Sequence, residues 1–359
     1  MDSLLCDEVW FMSPIGKEEE EVQGGGGLNK NDVGFFYSTK EDCEQAFGNL
    51  IDKEMSYMPE EGYVKFIEEN SFIEKARLNA IYWFMKLRSV QMLIDAMSQR
   101  RWDLSFLTVF GAASYLDRFI SLNKGKCQVW RHWLFELLSI ACLSLACKFH
   151  EASPPQLLEL KMEGIEHVFH SAMIQRMEFT LLEALGWKLN SATPYSYIEL
   201  FQWSINSHKL SLLQDFTSRI NELFVRVLLD VKLLEFKPCV IAQSVVTRIS
   251  EDMSPLIDVS WFSDFTRLIP QDQKDDLNKC QTMMNTPLVI EEFEEAVKCR
   301  GCQFDHSSPV SVLTMKQRDL TDYQLRQYYS LFNSPQRDTH LKCNDGKRKR
   351  DEEEEPDRV

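Results

Sequence analysis

Residues 133–149 run Trp133-Leu134-Phe135-Glu136-Leu137-Leu138-Ser139-Ile140-Ala141-Cys142-Leu143-Ser144-Leu145-Ala146-Cys147-Lys148-Phe149. Apolar or small side chains fill every turn, and β-branched residues are almost absent. Such a run favours a helix enclosed on all sides over an amphipathic one lying on a surface. With Glu136 and Lys148 inside it, the stretch is short and charged for a membrane span, which takes about twenty apolar residues. No membrane partner is expected. The stretch is therefore the predicted central helix of an all-α domain, and Lys148, near its end, needs either a counter-charge or solvent.

Working outward, turn signals divide the chain into helical segments near 72–98, 103–121, 128–149, 155–163 and 169–185, closed by Gly186-Trp187 and Thr193-Pro194. A second set follows near 195–206, 210–230, 238–250, 258–268 and 271–284. Two groups of five helices, each about a hundred residues long, predict a tandem repeat of one helical fold. No alternation long enough for a sheet interrupts them. The expected domains are a flexible acidic leader over 1–57, a first helical fold over 58–190, a second over 191–297 and a flexible tail over 298–359. Met58-Pro59-Glu60-Glu61 suits a first helical turn and marks the expected start of order.

The formal charge of −15 is unevenly spread: residues 1–70 carry 17 acids and 5 bases, residues 71–300 carry 27 and 25, and residues 301–359 carry 11 and 10. A nearly neutral middle lacks the clustered lysine and arginine of a duplex-binding surface, so no nucleic-acid partner is expected. The N-terminus has acids where a secretory signal would be basic, so the ten cysteines are expected as reduced thiols. Cys299-Arg-Gly-Cys302 is a lone Cys-x-x-Cys without a second ligand pair. Gly24–Gly27 lacks the Gly-Lys-Ser/Thr of a phosphate loop. His167-x-x-His170 finds no nucleophile or matched ligands in the sequence, so no enzyme, no cofactor and no metal are expected.

Charges on apolar stripes are the more informative feature. Glu178 lies inside the stripe Ile174, Leu181, Leu182, Leu185, and Lys148 shares a face with Ala141, Ser144 and Leu145. Two readings fit: an internal Lys148–Glu178 salt bridge, or a pair bordering a groove that another protein fills. Arg77 sits in the stripe Ile73, Ala80, Ile81, Phe84, and Asp117 among Phe106, Val109, Phe110, Ala113 and Ile120. Their simplest role is a structural ion pair tying two helices together.

Four motifs carry a resemblance: Ala76-Arg77-x-x-Ala80-Ile81-x-Trp83, Tyr115-Leu116-Asp117-Arg118-Phe119, Ala141 to Lys148, and Gln175-Arg176-Met177-Glu178. In this order they resemble the cyclin box, and in detail the D-type cyclins of plants. Phe236-Lys237-Pro238-x-Val240-Ile241-Ala242 resembles the family's C-terminal fold more loosely. The resemblance implies two tandem five-helix cyclin folds in a non-catalytic subunit. Its partner would be a cyclin-dependent serine/threonine kinase, with kinase inhibitors as further partners. It also implies a role at the G1/S transition. Lys148 and Glu178 would contact the kinase, with Glu151 in the short acidic run beyond the lysine, while Arg77 and Asp117 would pair internally. His150 stands where relatives often have an acid.

Leu4-x-Cys6-x-Glu8 matches the motif by which D-type cyclins bind retinoblastoma-related proteins. In an extended chain residues i, i+2 and i+4 point to one side, so Leu4 and Cys6 can enter apolar pockets while Glu8 accepts hydrogen bonds. The family's substrate-docking patch is degenerate here: Trp83 is kept, but Ala76, Asn79 and Ala80 are smaller or more polar, and Glu136 replaces a glutamine. In the tail, Lys347-Arg348-Lys349-Arg350 is a candidate nuclear import signal, giving the nucleus as the expected location with the cytoplasm second. Ser334, before Pro335 and Arg337, is a candidate phosphorylation site. The alternative class is a transcription-associated cyclin-fold protein that binds DNA or the transcription machinery.

Overall fold

The structure, a computed structural model, describes residues 39–89, 104–127, 130–154, 165–198, 200–201, 210–253, 267–285, 320 and 324. Among these residues the regular structure is helical, with no strand, so the all-α class expected from the sequence is the one found. The principal helices are α1 (Lys40–Glu54), α2 (Tyr63–Glu69), α3 (Ser71–Ser89), α4 (Phe106–Leu122), α5 (His132–His150), α6 (Ser171–Ala184), α7 (Leu210–Leu229), α8 (Pro238–Met253) and α9 (Lys274–Asn285). The expected segment 155–163 and most of 258–268 lie outside the described residues.

Helix α5 is buried without a break from Trp133 to Cys147. By length and composition alone it could cross a membrane. Instead α3, α4 and α6 sheathe it. Each fully buried Leu, Ile or Phe contributes about 1.5–3 kcal/mol of transfer free energy, which makes this helix the main apolar investment of the first helical group. Ser139 remains compatible with burial because its Oγ donates back along the helix to the Phe135 carbonyl at 2.7 Å.

Helix α4 lies against α5 and begins at Ser105, whose hydroxyl accepts the Thr108 N–H at 3.1 Å. Its C-terminal half is tied to the end of α6. Arg118 Nη1 donates to the Lys188 carbonyl at 2.9 Å, and the Tyr115 hydroxyl donates to the Leu189 carbonyl at 2.7 Å. Helix α6 ends in a Schellman motif: Trp187 N–H bonds the Leu182 carbonyl at 2.9 Å and Gly186 N–H the Glu183 carbonyl at 3.1 Å. Gly186 and Trp187 both take left-handed backbone angles, φ 61° and 60°.

Aromatic rings join α4 to the second helical group. Phe110 meets Phe224 of α7 edge-on at 5.0 Å, and Tyr195 stacks on Phe106 at 5.8 Å. In that group α8 packs on α7 and α9. Arg226 of α7 donates to the carbonyls of Met283 and Met284, both at 2.7 Å, and so caps the end of α9.

The leader does not extend to residue 57 as expected, because α1 occupies Lys40–Glu54. A reciprocal capping box starts this helix, with Thr39 Oγ1 and the Asp42 carboxylate each bonded to the other's backbone N–H at 3.1 Å. Cys43 and Phe47 are fully buried, and Phe47 meets Tyr197 and Phe201 edge-on at 5.2 and 6.2 Å. Glu54, the last residue, is buried too. It accepts from the Tyr197 hydroxyl at 3.0 Å and from Cys239 N–H, at the start of α8, at 3.1 Å. Nor is the tail wholly detached: Leu320 packs against the core and Gln324 reaches His167.

Candidate partner-binding site

Lys148 ends the buried run of α5, and Glu178 lies at the middle of α6, where the two helices pack together. Lys148 Nζ lies 2.7 Å from both carboxylate oxygens of Glu178. The side chains are unequally placed: Lys148 is 47% exposed and Glu178 9%. The pair is therefore internal on its acidic side and open on its basic side, so it combines features of both readings of the sequence. A buried carboxylate fixes the position of a cation that solvent can reach.

Large apolar side chains stand in solvent beside this pair in sequence. Phe149 follows Lys148 and is 46% exposed, and Phe179 follows Glu178 and is 52% exposed. Trp187, 63% exposed, meets Phe179 edge-on at 6.2 Å. Exposed aromatic side chains such as the Phe179–Trp187 pair are enriched in protein-binding patches. Sequence reasoning placed Phe149 at the end of a core helix and missed its exposure. The signal was the change from buried to solvent-facing positions at the charged Lys148.

Glu151, expected beside the kinase contact, is turned to the start of α4. Its Oε1 accepts Ser105 N–H at 2.9 Å and Ser105 Oγ at 3.1 Å, and it also bonds Thr108 Oγ1. A carboxylate at a helix N-terminus is favoured by the orphan N–H groups and the helix dipole. This structural use was not legible because residue 105 is 46 positions away.

Arg77 and Asp117 form a buried bidentate pair, Nε to Oδ1 at 2.7 Å and Nη2 to Oδ2 at 3.0 Å. Burial, the largest single influence, lowers the guanidinium's pKa, but the charge and hydrogen bonds of Asp117 together with Tyr63 outweigh it and the pKa is raised. Tyr63 is a third member that sequence reasoning missed: its hydroxyl donates to Asp117 Oδ1 at 2.7 Å. The triad ties α2, α3 and α4 together beneath the surface.

Trp83 and Glu136, the residues of the degenerate docking patch, are both buried. Glu136 Oε1 accepts Glu166 N–H at 2.8 Å, and Oε2 lies 2.7 Å from His167 Nδ1. Both of its oxygens are engaged within the chain. His170, paired with His167 in the sequence reading, is instead the exposed N-cap position of α6. Cys43, Cys127, Cys142, Cys147, Cys239 and Cys280 are buried free thiols. Burial raises Cys43, Cys127 and Cys280 to about 11 and Cys147 to about 12, so they stay protonated near neutrality. Leu4, Cys6, Glu8, Cys299, Cys302, Ser334 and Lys347–Arg350 lie outside the described residues.

With this geometry established, residues 45–190 match the family described as cyclin, N-terminal domain. The chain is 28% identical over 248 residues to Cyclin-D3-3 of Arabidopsis thaliana, covering 68% of this chain and 63% of that protein. It is 26% identical over 295 residues to Cyclin-D1-1 of the same plant, covering 76% and 81%. It is 29% identical over 230 residues to Cyclin-D4-2 of Oryza sativa subsp. japonica, covering 63% and 56%. For two of these three relatives the match spans less than two thirds of their length. Among solved structures, the X-ray structure of a viral cyclin from herpesvirus saimiri superposes with a TM-score of 0.50 at 12% identity, over 68% of this chain and 99% of that one. At that identity the likeness speaks to fold alone.

Proposed function

We propose, from the cyclin N-terminal domain at residues 45–190 and the likeness to plant D-type cyclins, that this chain is a non-catalytic regulatory subunit that binds and activates a cyclin-dependent serine/threonine kinase. The observation that carries the reading is the Lys148–Glu178 pair, held from below by a buried carboxylate and bordered in sequence by exposed Phe149 and Phe179. A protein kinase works only when its strand lysine pairs with the glutamate of a helix that can swing out of place. A rigid helical surface that binds only the swung-in arrangement shifts that equilibrium by its difference in affinity for the two states. Lys148 supplies the reachable cation of such a surface and the aromatic rings its apolar contact.

The finer reading follows from the motifs. Leu4, Cys6 and Glu8 recruit a retinoblastoma-related protein, raising its effective concentration at the kinase site. Its phosphorylation promotes G1/S entry. Lys347–Arg350 direct the complex to the nucleus, phosphorylation of Ser334 adjusts its lifetime, and kinase inhibitors bind the assembled complex.

Co-expression with a plant cyclin-dependent kinase tests the proposal. The expected result is a stable complex on gel filtration that phosphorylates a retinoblastoma-related fragment. Replacing Leu4, Cys6 and Glu8 by alanine is expected to slow that substrate selectively while a short peptide substrate is phosphorylated as before. A chain that stays separate from the kinase and leaves its activity unchanged would overturn the reading.

A further inference from the structure

His132, Glu136 and His167 converge although they come from two separate segments. His132 and Glu136 are one helical turn apart on the same face of α5. His167 belongs to the segment leading into α6, which is pinned where Glu166 N–H donates to Glu136 Oε1 at 2.8 Å. One ligand atom from each residue falls within 4.8 Å of the others. The Glu136 carboxylate is central, with Oε2 2.7 Å from His167 Nδ1 and Oε1 3.5 Å from His132 Nδ1.

The second observation is the state of His132. Its Nδ1 is shut from solvent and has no hydrogen-bond partner among the described residues. An imidazole nitrogen left so is costly, and a metal ion is one group that would satisfy it. On the far side of His167, Nε2 lies 3.4 Å from Gln324 Nε2, which gives that ring the kind of outer partner metal-bound histidines have.

We propose that His132, Glu136 and His167 form a zinc site. Two imidazoles and one carboxylate make a donor set suited to Zn²⁺, whereas Mg²⁺ and Ca²⁺ prefer oxygen alone. Zinc bonds of about 2.0–2.2 Å place tetrahedral ligands about 3.4 Å apart, so on binding the outermost atoms close by up to about 1.4 Å and the Glu136–His167 contact opens by about 0.7 Å. Glu136 binds as the carboxylate. The His167 ring proton moves from Nδ1 to Nε2, where rotation of the Gln324 amide gives it an acceptor, and water fills the fourth position. The ion would fasten the segment before α6 to the first turns of α5.

The test uses the full chain, stripped with chelator and titrated with zinc against a chromophoric indicator. The expected result is one equivalent bound and a raised melting temperature. Glu136→Gln, and separately His132→Ala with His167→Ala, should weaken binding by more than about 10-fold, a loss that even outer-shell changes can produce. Cys299→Ser with Cys302→Ser should leave it unchanged. Cobalt(II) substituted for zinc should show visible bands without sulfur-to-metal charge transfer. Binding that survives loss of both histidines in a chain with native circular dichroism overturns the proposal. So does cobalt held through sulfur, or a chain that takes up no zinc at micromolar concentration.

Discussion

Glu54, the last residue of α1, accepts the backbone N–H of Cys239, 185 positions further along the chain. The acceptor lies at the N-terminal end of α8, where orphan N–H groups favour a carboxylate. Burial acts more strongly in the other direction and raises the Glu54 pKa, against the lowering effect of its bonds to Cys239 and Tyr197. The folded chain therefore holds the proton to a higher pH than the unfolded chain does. Stability from this group is full below the unfolded pKa and is lost as pH rises through the folded one. Glu54→Gln keeps an acceptor without the charge. Its melting temperature is expected to gain on the parent's as pH is raised from about 4.5 toward neutrality, as scanning calorimetry at several pH values would measure.

Removing one member of the Arg77–Asp117 pair leaves an uncompensated buried charge. Arg77→Met or Asp117→Leu alone is expected to cost about 3–5 kcal/mol. The double substitution, with Tyr63→Phe to remove the stranded hydroxyl, should cost less than either. Urea unfolding of the set checks the order.

Lys148 and Glu178 should behave differently because the lysine is largely in solvent. Lys148→Ala alone strands a nearly buried carboxylate and is expected to destabilise by about 1–3 kcal/mol. Lys148→Ala with Glu178→Ala removes both charges and should unfold at a higher temperature than the single variant. That double variant is expected to retain native circular dichroism and to lose kinase co-purification. Loss of the fold in it would return the pair to a purely structural role.

At Gly111 a Cβ would lie 2.8 Å from His150 Nε2 and 3.0 Å from its Cδ2. Gly111→Ala gains about 1 kcal/mol of helix propensity but meets an overpacking penalty of about 1–3 kcal/mol. It is expected to destabilise the parent chain and to stabilise a His150→Ala chain. Thermal melts of the four combinations would show the change of sign.

The central helix was readable because a continuous apolar run needs no knowledge of its neighbours. Arg77 and Asp117 were readable because a charge in an apolar stripe demands a partner. Helix α1 was not: its buried stripe is short and ends in an acid, and only its packing on Tyr197, Phe201 and Cys239 makes Glu54 an interior residue. The Thr39-x-x-Asp42 capping box is the one local sign of where this helix starts. Likewise the four-residue spacing of His132 and Glu136 was visible, but His167 joins them only through the tertiary fold. Local spacing specifies helices, whereas convergence of distant side chains depends on how those helices pack.

The left-handed backbone at Trp187 has one more consequence. An L-residue in that conformation is strained by about 1 kcal/mol relative to glycine, and the edge-on contact of the indole with Phe179 offsets that by about 0.5–1.5 kcal/mol. Trp187→Gly should therefore leave the melting temperature nearly unchanged while weakening the proposed kinase contact. Folding alone would accept a glycine here, so a large ring that stands mostly in solvent is accounted for by adhesion to another molecule rather than by the durability of the chain itself.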